Sequence, residues 1–334
     1  MDQTFSIDAA EALVAQTLVA NRVSAANAAS VARALVAAEV DGQKGHGFAR
    51  VAAYCAQARS GKVAGGAVPV VEATGPAFLR VDAGHGFAFP AIDAAIEALT
   101  QTVSETGLAG AAVTRSHHCG QLGAHVERLA DRGLVALMLA NTPQAMAPWG
   151  GNRALFGTNP IAFAAPRAEA PPLVIDLSLS KVARGKVMAA KKKGEAIPEG
   201  WALDRDGQPT TDPDAALAGM MLPAGDAKGA ALALIVEVLA ATVTGAQQSH
   251  EASSFFEAEG PPPGVGQFIL ALDPTRSAGA GFATRLEALL GEIEGQSGAR
   301  LPGGRRLEAR AACATADGVT IPAHLLAEIE AAGR

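Results

Sequence analysis

The chain has 334 residues, 49% hydrophobic and 18% charged, enough to bury a large core in one big domain or two to three interleaved ones. A formal net charge of -6 and a pI near 5.7 argue against nucleic acid or an anionic membrane as partner, since both want clustered positive charge. Cys55, Cys119 and Cys313 stand far apart, with no C-x-x-C pair, so neither a disulfide framework nor a metal cage is expected.

The N-terminus carries Asp2 early and lacks the basic start and apolar core of a signal peptide, so a cytoplasmic protein is expected. Residues 7 to 40 read as two helices, broken at 21 to 24 with Ser24 as N-cap. They lead into Gly42-Gln43-Lys44-Gly45-His46-Gly47-Phe48-Ala49-Arg50. Glycines on both sides of His46 allow a tight turn and close approach of a ligand. An imidazole there, between Lys44 and Arg50, suits proton transfer to a substrate that also carries a carboxylate; the alternative is a turn with a solvated histidine. The segment 51 to 60 reads as a helix ending at Gly61, which sets Arg50 and Tyr54 one turn apart on a face toward His46. Strands follow at 68 to 71 and 79 to 82, and a helix at 89 to 105 closed by Gly107.

The apolar strand 108 to 113 runs into Ser116-His117-His118-Cys119-Gly120-Gln121-Leu122 and a helix from about 124 to 132. A strand feeding small and polar residues at a helix start offers free N–H groups to a phosphate or a developing negative charge. Two adjacent histidines point in different directions, so one at most reaches a substrate. Strands are read at 134 to 140, 156 to 164 and 173 to 180, with Ser180 capping a helix near Lys181 that carries Arg184 and Lys186. The Gly-, Pro- and Asp-rich stretch 194 to 225 reads as a long functional loop, a lid or dimer arm. Asp226-Ala227-Lys228-Gly229 opens a helix to about Thr244, apolar almost all round and therefore read as a core helix. It contains Glu237 and is too short to span a bilayer. A strand at 267 to 273 and a helix at 282 to 293 follow. Finally, Arg300, Arg305 and Arg306 place three guanidinium groups in one turn, the kind of fork that grips phosphate; the alternative is a solvated basic turn. No G-x-G-x-x-G, P-loop, H-E-x-x-H or G-x-S-x-G is present. Four separated segments, 118 to 122, 176 to 178, 227 to 229 and 300 to 306, offer phosphate-friendly chemistry instead.

Seven ordered motifs across nearly the whole chain resemble the type 2 malate/L-lactate dehydrogenases, a family that includes ureidoglycolate, sulfolactate and 2,3-diketogulonate oxidoreductases and the Δ1-piperideine-2-carboxylate/Δ1-pyrroline-2-carboxylate reductases. They are His46-Gly47 with Arg50 and Tyr54, Ser116 to Gly120, Leu155 to Pro160, Ala183 to Lys186, Ile197 to Gly200 with Thr210 to Pro213, Lys228-Gly229, and Arg300 to Gly303. The resemblance implies a non-Rossmann α/β fold with a large mixed or antiparallel sheet flanked by helices. It also implies a cytoplasmic homodimer that moves a hydride between NAD(P)H and a 2-oxo or 2-imino acid. Three regions are expected: a helical substrate and dimerisation region over 1–75, a cofactor-binding sheet domain over 76–275 with an arm at 194–225, and a helical region over 276–334 returning to the first.

Carried over by position, His46 is the proton donor, His118 a second acid/base candidate at the cofactor turn, and Lys186 stands at a relay position occupied by Asp in the ketimine reductases. Arg50, Tyr54, Thr158 and Arg184 fall among the substrate contacts. His118, Cys119, Gly120, Gln121, Leu122, Asp176, Leu177, Ser178, Lys228, Gly229, Arg300, Gly303, Arg305 and Arg306 fall among the cofactor contacts. Gly45 stands where the family commonly has Ser, which removes a hydroxyl relay to His46. Arg305 and Arg306 beside Gly304 favour NADP over NAD. The alternatives are a ketimine reductase and a catalytically decayed binding protein.

Overall fold

The computed structural model describes all residues, 1 to 334. Its N-terminal layer holds β1 (Gln3–Phe5), α1 (Ile7–Val19), α2 (Ala25–Val40) and α3 (Val51–Ser60). Ser6 and Ser24 accept the Ala9 and Asn27 amides as N-caps, and Gly61 ends α3 in the left-handed conformation.

The central sheet contains β2 (Val70–Gly75), β3 (Phe78–Asp82), β4 (Leu108–Ser116), β5 (Val135–Ala140), β6 (Ile161–Ala165), β7 (Leu173–Leu177) and β11 (Val265–Leu272). Its order is β2-β3-β4-β11-β5-β6-β7. Only β3 and β4 run parallel, joined through α4 (Ala88–Thr106); every other neighbour is antiparallel. A dinucleotide crevice at the carboxyl edge of parallel strands therefore has no place in this fold. Along β5 the side chains alternate. Ala136, Met138 and Ala140 face the core made with α4 and α5 (Leu122–Ala130), whereas Leu137 and Leu139 face a second core on the opposite side of the sheet.

The stretch read as a loop at 194 to 225 is folded. It carries β8 (Ala202–Leu203), β9 (Pro209–Thr210), α7 (Pro213–Ala218) and β10 (Met220–Met221) in a three-stranded sheet. With α6 (Arg184–Lys193) it encloses a small core of Val182, Val187, Ile197, Ala202 and Ala216. Ser180 does not cap α6, whose N-cap is Ala183; the Ser180 hydroxyl donates to the Val182 carbonyl.

The helix expected in the core, α8 (Ala227–Glu237), continues through a π turn at Val238–Thr242. It packs only one side. Ala233, Val236 and Ala240 meet the second core, while Leu232, Leu234, Ile235, Val238 and Val243 are exposed. Its buried carboxylate, Glu237, is fully bonded by the Asn159 amide and by the backbone and hydroxyl of Ser249, which lets a charge sit inside.

The C-terminal part comprises α9 (Thr275–Ala278), α10 (Gly281–Glu294), α11 (Gly304–Thr315), β12 (Val319–Ile321) and α12 (Ala323–Ala332). β12 pairs with β1, and Val319, Ile321, Leu326 and Ile329 complete the core of α1 to α3. A buried charge cluster fixes α11 to α2 and α5. Arg306 forks onto Glu127 at 2.8 and 3.0 Å, and Arg310 bridges Glu127 and Asp41. Burial alone would raise the Glu127 pKa, but the Arg310 and Arg306 guanidinium groups overcome it and hold the carboxyl below its ordinary range. Removing one partner of a buried pair strands the other. Arg306→Met is therefore expected to destabilise the fold by about 3 kcal/mol in urea unfolding, a loss that Arg305→Met, on the exposed side of the same turn, should not show.

Candidate active site

The His46 loop is built from a buried acid. Glu39 in α2 accepts the Phe48 amide at 2.8 Å and the Lys44 ammonium at 2.6 Å. Its carboxylate lies so close to Gly47 that an added Cβ would collide with it, which is the reason for glycine there. Gly45 is different: a Cβ at that position meets nothing within 4 Å. Lys44 is thus neutralised by Glu39, and the cation that acts on His46 is Arg50.

Three side chains from separate elements form a bonded row. His46 Nδ1 lies 3.2 Å from His118 Nε2, the two rings stacked with centroids 5.2 Å apart. His118 Nδ1 lies 2.6 Å from the Tyr54 hydroxyl. Tyr54 is fully buried, so it stands behind the imidazoles rather than at the substrate surface where the sequence placed it. Both ring nitrogens of His118 are engaged, and His46, half-buried, is the member whose Nε2 has no protein partner. Hydrogen placement follows the network. If Tyr54 donates to His118, the His118 Nε2–H donates to His46 Nδ1 and the His46 proton sits on Nε2. The reversed orientation leaves Nε2 as an acceptor.

His117 diverges from His118 as expected of neighbours on a turn. It is sealed among Tyr54, Phe87 and Phe255, and both of its nitrogens are buried without partners. Burial is the first cause of depressed basicity throughout this group. It pushes His46 down to about 4 with help from Arg50, His117 to about 3 with help from Lys62 and Arg50, and His125, whose Nε2 meets the Cys119 carbonyl, to about 4. His118 is lowered well below its usual value by burial, Arg50 and its histidine neighbours.

Arg50 donates through Nε to the Gly45 carbonyl at 2.8 Å, and its guanidinium carbon lies 4.6 Å from the Phe256 ring centroid. Its Nη1 is buried and has no partner. A buried cationic donor left open in this way matches a carboxylate oxygen.

Three of the four phosphate-friendly segments adjoin the edge strand β7, and the fourth, 227 to 229, starts just after a residue bonded beyond its end. Asp176 accepts the Gly123 amide of α5 at 2.7 Å, Val174 lies against Gly303, and the Leu179 carbonyl accepts the Ala224 amide just ahead of α8. Asp176 thereby occupies an amide of the α5 first turn, so the free anion site expected at 118 to 122 is partly filled by the protein itself. Cys119 and Leu122 are buried, Gly120 turns the chain at φ 67°, and Gln121 donates to Asp41. Leu177 is exposed, and Ser178 Oγ faces Ser180 Oγ at 3.0 Å. Gly229 is needed because its Cα abuts the Ala224 carbonyl. Lys228, Arg300 and Arg305 are exposed, and their side chains form no bonds with the protein. Arg306 differs: its guanidinium is committed to Glu127, so the pair of arginines expected for a phosphate reduces to Arg305 with Arg300.

Of the remaining candidates, Thr158 bonds through its amide to the Thr142 hydroxyl and Arg184 donates to the Leu217 carbonyl. Lys186 is exposed on α6. None of the three bonds to the His46 row.

Residues 5–330 match the malate/L-lactate dehydrogenase family profile. The chain belongs to this family. It is 56% identical over 306 residues to a (2R)-3-sulfolactate dehydrogenase (NADP(+)) of Chromohalobacter salexigens, covering 92% of this chain and 91% of that one. It is 42% identical over 310 residues to a Δ1-pyrroline-2-carboxylate/Δ1-piperideine-2-carboxylate reductase of Pseudomonas syringae pv. tomato, covering 92% and 90%. Among solved structures, a Δ1-piperideine-2-carboxylate reductase from that organism superposes with TM-score 0.92 at 41% identity over 99% of both chains. A sulfolactate dehydrogenase of Methanocaldococcus jannaschii superposes with TM-score 0.91 at 28% identity, over 99% of this chain and 96% of that one.

In this malate/L-lactate dehydrogenase family member, the sequence reading missed Phe255 and Phe256, which roof the histidines and Arg50. Two adjacent aromatics in a polar, proline-bounded loop, in a chain with only 4% aromatic residues, were the available signal. The neutral imidazoles also set an acid limit. The unfolded chain takes up protons from about pH 6.5 downward, whereas the folded state resists until about 4 for His46 and His125 and about 3 for His117. Stability is therefore expected to fall across that window by about 1.4 kcal/mol per pH unit for each imidazole. His117→Phe keeps the aromatic box and should reduce the slope by one proton in urea titrations at successive pH; an unchanged slope would count against a neutral buried His117.

Proposed function

We propose that this protein is an NADP-dependent dehydrogenase of a short 2-oxo/2-hydroxy acid, with Arg50 as the carboxylate clamp and His46 as the proton-transfer group. The carrying observation is that one loop presents a buried guanidinium nitrogen with no partner beside an imidazole nitrogen with none. The unpaired Lys228, Arg300 and Arg305 around β7 fit the phosphates of a nicotinamide dinucleotide, and the 56% relative that uses NADP(+) supports NADP over NAD. When bound, the nicotinamide supplies or accepts the hydride.

The protein's own part is positional and electrostatic. Arg50 holds the carboxylate, and the aromatic roof of Phe255 and Phe256 excludes water. His118 and Tyr54 fix the orientation of the His46 ring, the task that the resemblance gives to a serine hydroxyl where this chain has Gly45. An imidazolium at His46 was the expectation from sequence. In the free protein burial and Arg50 leave it neutral instead, which suits a base toward the hydroxyl of a 2-hydroxy acid. A substrate carboxylate on Arg50 offsets the second cause and shifts His46 in the direction that reduction needs, against the burial that remains the larger cause.

The relative at 56% identity makes 3-sulfolactate the first substrate to test. A cyclic 2-imino acid is the second reading, supported by the reductases at 42% identity and by the 0.92 superposition. The same reading takes the protein as a cytoplasmic homodimer; the exposed Leu232, Leu234, Ile235, Val238 and Val243 form an apolar surface of the kind a second copy covers. No helix is long and apolar enough to cross a membrane.

Assays of 3-sulfopyruvate, oxaloacetate, pyruvate and Δ1-piperideine-2-carboxylate, each with NADPH and NADH, separate the readings. His46→Ala is expected to lower kcat by at least ~10²-fold while NADPH fluorescence titration is unchanged; equal turnover ends the assignment. For hydroxy-acid oxidation, kcat/KM of the free enzyme should rise as pH climbs through about 4 and stay level through neutrality. An acid limb at or above 6.5 would show that His46 is not held neutral.

A further inference from the structure

The segment that roofs the pocket is held by the C-terminal end of α3 and by Lys62 just beyond it, at residues outside the catalytic row. Gln57 donates to the carbonyls of Phe255 and Glu257 at 2.9 and 3.0 Å. Ser60 donates to the Ala258 carbonyl at 2.6 Å. Lys62 donates to the carbonyls of Ser254, Glu257 and Glu259 at 2.7, 3.0 and 3.2 Å. All three protons of the Lys62 ammonium are thus spent on backbone oxygens of one short loop, and the residue is 2% exposed. A hydroxyl bond from Ser253 to the Pro261 carbonyl closes the loop at its base.

The loop contains no regular secondary structure, so its shape rests on the six bonds from Gln57, Ser60 and Lys62, on two within the loop, Ser253 to Pro261 and the Phe256 amide to the Ser254 hydroxyl, and on Phe255, which is buried against His117 and His118 at centroid distances of 5.3 and 5.2 Å. Phe256 is 62% exposed, unusual for a phenyl ring unless its face is used. The Arg50 guanidinium stacks on it. The guanidinium is set by two contacts, the Gly45 carbonyl on Nε and the Phe256 ring on its face, which leave the terminal nitrogens as a fork. A planar cation stacked on a ring is oriented as well as attracted.

We infer that Lys62, with Gln57, is a positioning residue for substrate binding: by gathering the 254–259 carbonyls it sets Phe256 under Arg50 and so fixes the pitch of the carboxylate clamp. This rests on the reading of Arg50 as that clamp. The cations proposed for the cofactor phosphates, Lys228, Arg300 and Arg305, form no bond with this loop, so the effect is expected on the organic acid rather than on NADPH affinity. A change at Lys62 loosens the ring, the guanidinium rotates on its Nε bond, and the carboxylate meets a fork that must be ordered anew at each encounter.

Kinetics with NADPH and the best oxo or imino acid of the panel test this. Lys62→Met is expected to raise the KM of the acid at least tenfold, with kcat within threefold and NADPH titration unchanged, and Lys62→Arg, which retains several donors, is expected to recover part of it. Phe256→Ala should give the same split with the anchors intact, and the Lys62→Met/Phe256→Ala double variant should be no worse than the poorer single, because both act through one contact. Gln57→Leu, which removes two of the six bonds, gives a smaller rise in KM and takes over the test if Lys62→Met does not fold. A KM within twofold of the parent in the folded Lys62 or Gln57 variant, additive effects in the double, or an equal loss of NADPH affinity overturns the inference. Arg50→Leu separates the two levels. If it leaves KM unchanged, the clamp reading itself fails; if it raises KM while the anchor and Phe256 variants do not, only the positioning role fails.

Discussion

A guanidinium with one buried, unpartnered nitrogen and no counter-ion governs this pocket. Arg50 has Gly45 and Phe256 as neighbours and no carboxylate, and desolvation lowers even its own pKa. Its uncompensated charge reinforces burial in keeping His46 and His118 neutral. Glu39, the buried acid under the His46 loop, is occupied by Lys44 and the Phe48 amide. The protein thus keeps a site of uncompensated positive charge. On the proposed reading, an organic anion at Arg50 would offset the second cause of the low His46 pKa, while burial, the larger cause, would remain.

Holding such a site open requires rigid surroundings, and these come from buried polar groups bonded into the scaffold. Glu237 with Asn159 and Ser249, the Asp41, Glu127, Arg306 and Arg310 cluster, and the Gln57, Ser60 and Lys62 anchors under the 254–259 loop each direct most of their hydrogen bonds inward, although Arg306 Nε and Gln57 Oε1 keep no partner. Other unpartnered atoms lie at Arg50, His117, Ser116 and Gln267, and further ones at His85 and Gln247. Unsatisfied polar groups are costly where they carry no function, and the proposed clamp gives the one on Arg50 a use.

Much of the fold was legible in the sequence because it follows local rules. The two N-terminal helices with their Ser24 cap, the helix closed by Gly107 and the strand leading into His117 and His118 all lie close to where periodicity and capping place them. Errors arose where composition stood in for environment. An alanine- and leucine-rich run at 227 to 244 reads as core on any scale, yet half of it faces outward. A glycine- and proline-rich stretch at 194 to 225 reads as loop, yet short strands and α7 give it its own core.

The site was legible only in part, for a related reason. Motif spacing pointed to His46, Arg50 and His118, but partners come from the tertiary structure. No local pattern announces that Tyr54 bonds His118, that Arg306 turns inward to Glu127 while Arg305 turns outward, or that Lys62 reaches a loop about 190 positions away.

The pairing of β1 with β12 has a consequence for how the molecule comes into being on the ribosome. The helical layer that carries the His46 loop shares its apolar interior with Val319, Ile321, Leu326 and Ile329, which are synthesised last. The amino-terminal helices therefore have to wait, incompletely packed, until the nascent chain is nearly released. The pocket is assembled as the final act of translation, so a chain truncated near its carboxyl end would lose its reaction centre even though every catalytic side chain had already been made.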